Sequence, residues 1–350
     1  MVIAALLLGL FAVFVTPREE EPQIVVPMVD VFVSYPGATP KEVEERVTLP
    51  MEKLLWEIKG VEYVYSIVKP GQNLTIVRFY VGENMEDSLV KLYNKLMSNY
   101  DRIPPGVSRP MVKPKSIDDV PILALTLWSA SPGYTGYELR RIALELCGEL
   151  KKDANVSEFS VIGGQKRQVR LTLDPQRLRA YNLSALQIMQ GLARANVIIP
   201  SGSFPSGNRE TIVETGSFLT TAEEVGNLVV HVANGRPVYL RNVAAVADGP
   251  AEAANYVFMG LGPAAAKKGL TGNAAAQAEA VTIAVAKQKG ANASVVADEA
   301  LKKTAALKGT LIPSDVQVTV TRNYGETAKD KSDELLEHML IATISVIVLI

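Results

Sequence analysis

The chain has 350 residues, 48% of them apolar and 21% charged, with a net charge of −1 at pH 7. That balance buries a core, gives room for two or three domains, and lacks the concentrated basic surface a nucleic-acid groove needs. One cysteine (Cys147) and two histidines (His231 and His338) exclude an internal disulfide and argue against a zinc site or a nucleophile–base pair.

The first predicted element is Val2–Val15, "VIAALLLGLFAVFV", fourteen uncharged residues. A spanning helix needs about 20. With no Lys or Arg before Arg18, the segment reads as part of a membrane helix rather than a signal peptide. Next, "PMVDVFVSY" alternates as a strand, and Val43, Val47, Met51, Leu54, Leu55 and Ile58 form a helical stripe. Thr39 is a candidate N-cap ahead of Pro40, and Pro50 predicts a kink or restart. "VEYVYSIV" and "NLTIVRFYV" are strands joined by "KPGQN". A second helix carries Met85, Leu89, Leu92 and Leu96 on one face, and "RPMVKPKS" predicts a closing strand, giving βαββαβ.

A similar run begins at "VPILALTLWSA", with a helix carrying Leu139, Ile142, Leu146 and Leu150, then the strand "VSEFSVIGG". The expected partner strand does not follow. It returns far downstream as "EAVTIAVAKQKG", followed by a helix and the strand "VQVTVT". Both runs contain strand, Gly-x-Asn, helix and a Pro-bearing turn: Gly82 and Asn84 before "RIPPGV", Gly290 and Asn292 before "LIPSDV". Glycine tolerates the left-handed backbone that ends such a strand, and Asn caps the helix. The shared order predicts an internal duplication, with the second copy interrupted.

The interrupting segment reads as a small α+β module. "VRLTLDPQRLRAYNLSALQIMQGLARANV" is a strand, an Asp-Pro turn and a helix pair, and "SGSFPSGNRETIVETGSF" is a protruding hairpin. "GLGPAAAKKGLTGNAAAQA" is a Gly/Ala-rich loop expected to be mobile. At the far end, Met339–Ile350 is again uncharged and reads as part of a second spanning helix. The charges near both apolar ends point the middle of the chain to the outer side of a membrane. No P-loop motif occurs, the adjacent pair Asp118–Asp119 reads as a solvated turn, and no enzyme active site is indicated. Trp56 and Trp128 read as core or interface anchors rather than ligand platforms.

Five strings, "VFVSYPGATPKEVEERVTLPMEKLL", "GVEYVYSIV", "LDPQRLRAYNLSALQIMQGLARANV", "VYLRNVAAVADGP" and "AKQKGANASVVADEAL", resemble the N-terminal half of the resistance-nodulation-division (RND) efflux permeases, in that family's order. The resemblance implies an α+β fold with two ferredoxin-like porter subdomains, at 24–119 and at 120–164 joined to 279–325. It implies a funnel or docking subdomain at 165–260, a loop at 261–278, and partial transmembrane helices at 1–15 and 335–350. It further implies a homotrimeric, proton-driven bacterial inner-membrane pump whose middle stands in the periplasm. Such a pump exports drugs or other amphiphiles through a periplasmic adaptor and an outer-membrane channel. No cofactor or metal is implied, and the proton relay lies outside this sequence. The implied substrate-pathway residues are Pro121, Leu123, Ile162 and Tyr256, and the implied inter-protomer arm uses Ile199, Phe204 and Ile212. Pro121 and Ile162 stand where drug-pumping relatives carry aromatics, so an aromatic trap is not expected. Two other readings stay open: a non-transporting periplasmic interaction module, and an RND-type exporter of metal ions or lipids.

Overall fold

A computed structural model describes all residues except 1, 21–23, 25, 117–118, 234, 264, 271–276 and 350. Helix α1 is Val2–Val15. The first sheet is built from β1 (Met28–Ser34), β2 (Val61–Lys69), β3 (Gln72–Phe79) and β4 (Met111–Lys115), in spatial order β2-β3-β1-β4 with antiparallel pairings. Thr39 opens α2 (Pro40–Val43) as a capping box: its N–H donates to Glu42 Oε2 at 2.9 Å and the Glu42 N–H donates back to Thr39 Oγ1 at 3.3 Å. The helix then widens into a π-turn at Glu44–Thr48 and restarts as α3 (Leu49–Trp56), with Pro50 in the first turn as its missing donor requires. Helix α4 (Met85–Met97) is capped by Asn84, whose Oδ1 accepts from the N–H groups of Glu86 (2.8 Å) and Asp87 (3.1 Å). The helices cover one face, so Val29, Val31, Val77, Phe79, Leu55 and Leu92 are all at 0% exposure. Burying each such side chain contributes about 1.5–3 kcal/mol of transfer free energy.

The chain continues through β5 (Leu123–Trp128), α5 (Gly136–Leu150) and β6 (Val156–Ile162). It then leaves for the module: β7 (Arg167–Leu173), α6 (Pro175–Ala180), α7 (Ala185–Ala195), β8 (Ile199–Ser206), β9 (Arg209–Thr215), α8 (Ala222–Gly226), β10 (Val229–Ala233), β11 (Arg236–Tyr239), α9 (Leu240–Val243), β12 (Ala244–Pro250) and β13 (Phe258–Met259). Strands β7 and β12, β8 and β9, and β10 and β11 form three antiparallel pairs. Leu178, Ile188, Val225, Val238, Leu240 and Val243 make the module's own core. Of the Gly/Ala-rich loop, Ala265–Lys268 forms a 3-10 turn, while 264 and 271–276 lie outside the described residues, as does Asp118.

After the module come β14 (Ala278–Lys287), α10 (Ala293–Ala306), β15 (Gln317–Asn323) and α11 (Tyr324–Leu349). β14 pairs antiparallel with β6, from Thr282 opposite Ile162 to Lys287 opposite Val156, and lies beside β5, which pairs with β15. The order β6-β14-β5-β15 repeats that of the first sheet. The second sheet differs by a fifth, short strand: β13 pairs with the start of β14, Phe258 opposite Glu279 and Met259 opposite Ala278. The Gly-x-Asn signal recurs as read: Gly82 and Gly290 have φ of +89° and +76°, and Asn292 Oδ1 accepts from the Ser294 N–H at 3.1 Å. Beyond α1, Arg18 pairs with Asp333 of α11 at 2.7 Å, and Glu19 pairs with Lys287 of β14 at 2.8 Å, where the lysine side chain is only 7% exposed.

The chain divides into two compact units: Met1–Trp128, Ile142–Ile162 and Thr282–Ile350 form one, Ser129–Arg141 and Gly163–Val281 the other. The division falls inside α5 and β14, where the sequence alone put the border at the ends of the inserted segment. No helix among the described residues is long and apolar enough to cross a membrane.

Candidate functional site

The second sheet has two unlike faces. Leu123, Leu125, Leu127, Ile283 and Val285 are at 0% exposure on one of them. The alternation of side chains along a strand turns Thr126, Trp128 and Thr282 to the other. There the hydroxyls link strand to strand: Thr126 Oγ1 lies 2.9 Å from Thr282 Oγ1 and 3.1 Å from Thr321 Oγ1, and Trp128 Nε1 donates to Thr319 Oγ1 at 2.9 Å. Ile162, directly opposite Thr282, shares this face and is 45% exposed. On this face Thr126 and Thr319 are buried, and their hydroxyls are engaged by Thr282, Thr321 and the Trp128 indole.

Of the four pathway residues read from the sequence, Ile162 lies on this face. Pro121 is exposed just before β5, next to Ile122, whose N–H donates to Val285 O at 2.8 Å. Leu123 is fully buried, on the face opposite Ile162, and pairs with Asn323 of β15. Tyr256 belongs to the other unit, where it is 69% exposed and its ring stacks parallel to Phe258 with centroids 6.3 Å apart. The two rings border a shallow cleft of about 250 Å³ with Gly136, Gly164 and Glu279, and the Glu279 carboxylate accepts from the Gly136 N–H.

The arm is the hairpin of β8 and β9. Gly207 and Asn208 alone form its turn, with φ of +56° and +61°, the left-handed pair that a type I′ turn requires. Every residue of both strands is exposed, Ile199 at 57%, Phe204 at 51% and Ile212 at 69%. The register, with a bulge between Pro200 and Gly202, sets Ile199, Phe204 and Val213 on one face and Ile212 on the other. The three side chains implied for the arm are thus split between two faces. Ser203 Oγ donates to Glu210 Oε1 at 2.6 Å on the Ile212 side, which leaves the Phe204 side the more apolar.

With that geometry established, comparison with known proteins is decisive. The pattern of the AcrB/AcrD/AcrF family matches residues 1–350. The chain belongs to this family. It is 26% identical over 351 residues to the multidrug resistance protein MdtC of Yersinia pseudotuberculosis serotype O:1b (strain IP 31758), and equally so to MdtC of Yersinia pestis bv. Antiqua (strain Angola). Each match covers 100% of this chain and 32% of the relative, so the chain spans about a third of the length of these relatives. Its sequence is consistent with the N-terminal part of an RND permease.

The sequence reading named Ile162 and did not single out the threonines. The signal was present: "ALTLW" and "VTIAV" each carry one Thr, and "VTVT" carries two at alternating positions. It reads as one wall only when the register of β14 against β5 and β6 is known, and the inserted module hides that register.

Proposed function

We propose that this chain supplies the N-terminal substrate-handling part of an RND efflux permease of a bacterial inner membrane. In this reading 24–119 is the first ferredoxin-like porter subdomain, and 120–164 with 279–325 is the second. The segment 165–260 is the docking subdomain, followed by the loop 261–278. The apolar stretches at 1–15 and 335–350 belong to spanning helices, and the middle stands in the periplasm. The permease works as a homotrimer with a periplasmic adaptor and an outer-membrane channel. It exports drugs or other amphiphiles, driven by the proton motive force through residues outside this sequence.

The observation that supports it best is the repeated strand order, second-third-first-fourth, in two sheets of which only the second is interrupted. Two such packing units can shear against each other and open or close a path without any chemistry on the substrate. Pro121, Ile162 and Tyr256 are then the pathway side chains, with Leu123 supporting the strand from within its core.

The test is a pump-deleted Gram-negative strain carrying the full permease gene that contains this chain. Extrusion of a fluorescent amphiphile, lost when the proton gradient is collapsed, supports the reading; resistance to metal ions alone, or no transport, overturns it. Phe204→Asp tests the arm. If Phe204 packs against a neighbouring protomer, an unpaired charge costs about 2–3 kcal/mol per interface. Crosslinked trimer and extrusion should both fall while the melting temperature of the chain itself stays unchanged. A lowered melting temperature with an intact trimer would show that Phe204 packs within its own chain.

A further inference from the structure

We propose that the first sheet and its helices hold a separate binding site for a medium-chain carboxylate amphiphile. It lies in the cleft between α3 and the Pro-rich segment after α4. The cleft has a volume of about 100 Å³ and is open to solvent. Its walls are Val47, Met51, Leu54, Leu96, Ile103 and Val107. Val47, Met51 and Leu96 are core residues, so the floor is apolar. No residue of the site is among the pathway or arm residues, and the proposal does not depend on the efflux reading.

The mouth is cationic. Arg46 and Arg102 line the cleft, and neither guanidinium makes an ion pair among the described residues; Arg46 Nη1 only approaches the Tyr35 hydroxyl, at 3.5 Å. The carboxylates whose charge they influence are engaged elsewhere. Glu42, near Arg46, accepts from the Thr39 N–H and hydroxyl, both at 2.9 Å, and Glu57, near Arg102, is held by Lys95. A third guanidinium, Arg109, stacks 5.4 Å over the ring of Tyr100, itself a lining residue. An apolar slot with unpaired guanidinium groups at its rim fits an apolar tail with an acid head, because arginine grips a carboxylate through two parallel hydrogen bonds.

The backbone gives an independent indication. The π-turn Glu44–Thr48 supplies Arg46 and Val47 to the cleft, and π-turns concentrate at functional sites. This turn is pinned, since Thr48 Oγ1 donates to Asn73 Oδ1 at 3.0 Å behind it. The Pro-rich wall is pinned as well: the Ser108 N–H donates to Ser34 O at 2.8 Å, and the Ser34 N–H donates to Ser108 Oγ at 2.9 Å. Both sides of the slot are preformed, which keeps the ordering cost of binding low.

The test uses the full chain in nanodiscs of zwitterionic lipid, a decanoate bearing a terminal diazirine, and mass-spectrometric mapping of the photolabel. Label should appear on the peptides containing Met51–Leu54 and Ile103–Val107. Decanoate should compete, and decyltrimethylammonium should not. The double variant Arg46→Gln/Arg102→Gln should reduce labelling there about tenfold or more, as the loss of charge-assisted hydrogen bonds predicts. Met51→Trp, which fills the slot, should abolish it with an unchanged circular dichroism spectrum. Labelling confined to α1 and α11, equal competition by the cationic amphiphile, or full labelling of the arginine double variant would each overturn the site.

Discussion

The two sheets share a strand order and differ in one connection. In the first, β2 passes to β3 through Pro70 and Gly71 alone, and the turn is stitched to the chain before α2: the Tyr35 N–H donates to Gly71 O at 2.8 Å, and the Gly71 N–H to Ala38 O at 3.0 Å. In the second, β6 ends at Ile162 and its partner β14 begins at Ala278, with the whole module between them. Yet β6 pairs antiparallel with β14, in the place in the strand order that β2 holds beside β3. The pairing therefore does not depend on a short connection. The cost of separating the strands is small, because closing a flexible loop costs only about 0.6 kcal/mol more for each doubling of its length. It is smaller still here, since the module folds on its own core around Leu178, Ile188 and Leu240.

The largest effects should come from the apolar cores that the two sheets cover. Leu55 and Leu125 are both at 0% exposure, so Leu55→Ala and Leu125→Ala should each cost about 2–5 kcal/mol. Hydrogen exchange separates them. Leu125→Ala should weaken protection in β6 and β14 together, although the sequence separates them, and leave β1–β4 unaffected. If β6 responds without β14, the second sheet is not one packing unit.

A smaller effect should distinguish the two connections. A Cβ at Gly164 would lie 2.2 Å from Gly136 O, and φ there is +66°. At Gly71 the nearest atom would be Tyr35 O at 3.3 Å, with φ +70°. Gly71→Ala should cost about 1–2 kcal/mol of left-handed strain, and Gly164→Ala distinctly more, because a Cβ there would overlap a backbone oxygen at 2.2 Å rather than touch one at 3.3 Å. Equal losses in urea unfolding would mean that the exit to the module is no more tightly built than an ordinary turn.

The smallest effect is acid sensitivity. Hydrogen bonds from the backbone and side chain of Thr39 hold the Glu42 carboxyl below its ordinary 4.5, and Thr220 and Thr221 do the same for Glu224 in the module. A depressed carboxyl stabilises the fold above pH 4.5, and that stabilisation is lost as pH falls through the lowered value. Both helix starts should thus loosen only in acid, and Glu42→Gln should flatten the dependence near α2 without changing it near α8. Residue-resolved exchange at pH 3 and pH 6 checks this.

Much of this was legible in the sequence because it was local. Thr39 with Glu42, Asn84, Asn292 and the turn at Gly207–Asn208 act through neighbours in the chain, and each appears where its residue types require. The alternating valines of β1 and the leucine stripe of α4 fixed which faces are buried for the same reason. What stayed hidden depends on partners far apart in sequence. The threonine wall needs the register of three strands, the split of the arm's apolar side chains needs the bulge at Pro200–Gly202, and β13 has only two residues. The inward turn of Leu123 was hidden too: in "PILALTLW" either parity of the strand reads as apolar. The slot beside Arg46 escaped because a π-turn has no sequence signature of its own.

The central claim is that β6 and β14 pair across the module as β2 and β3 pair across a two-residue turn. Ser160 and Ala284 stand directly opposite each other in that pairing. Directly opposed residues of antiparallel strands bring their Cα atoms to about 4.5–5.5 Å, within the range a disulfide bridges. In a Cys147→Ser background, Ser160→Cys with Ala284→Cys should oxidise to a single intramolecular bridge, seen by mass spectrometry of the peptide pair, while the control Ser160→Cys with Asp298→Cys should not. Failure of the first pair to bridge, or equal bridging of the control, would contradict the duplicated fold and the functional reading that rests on it.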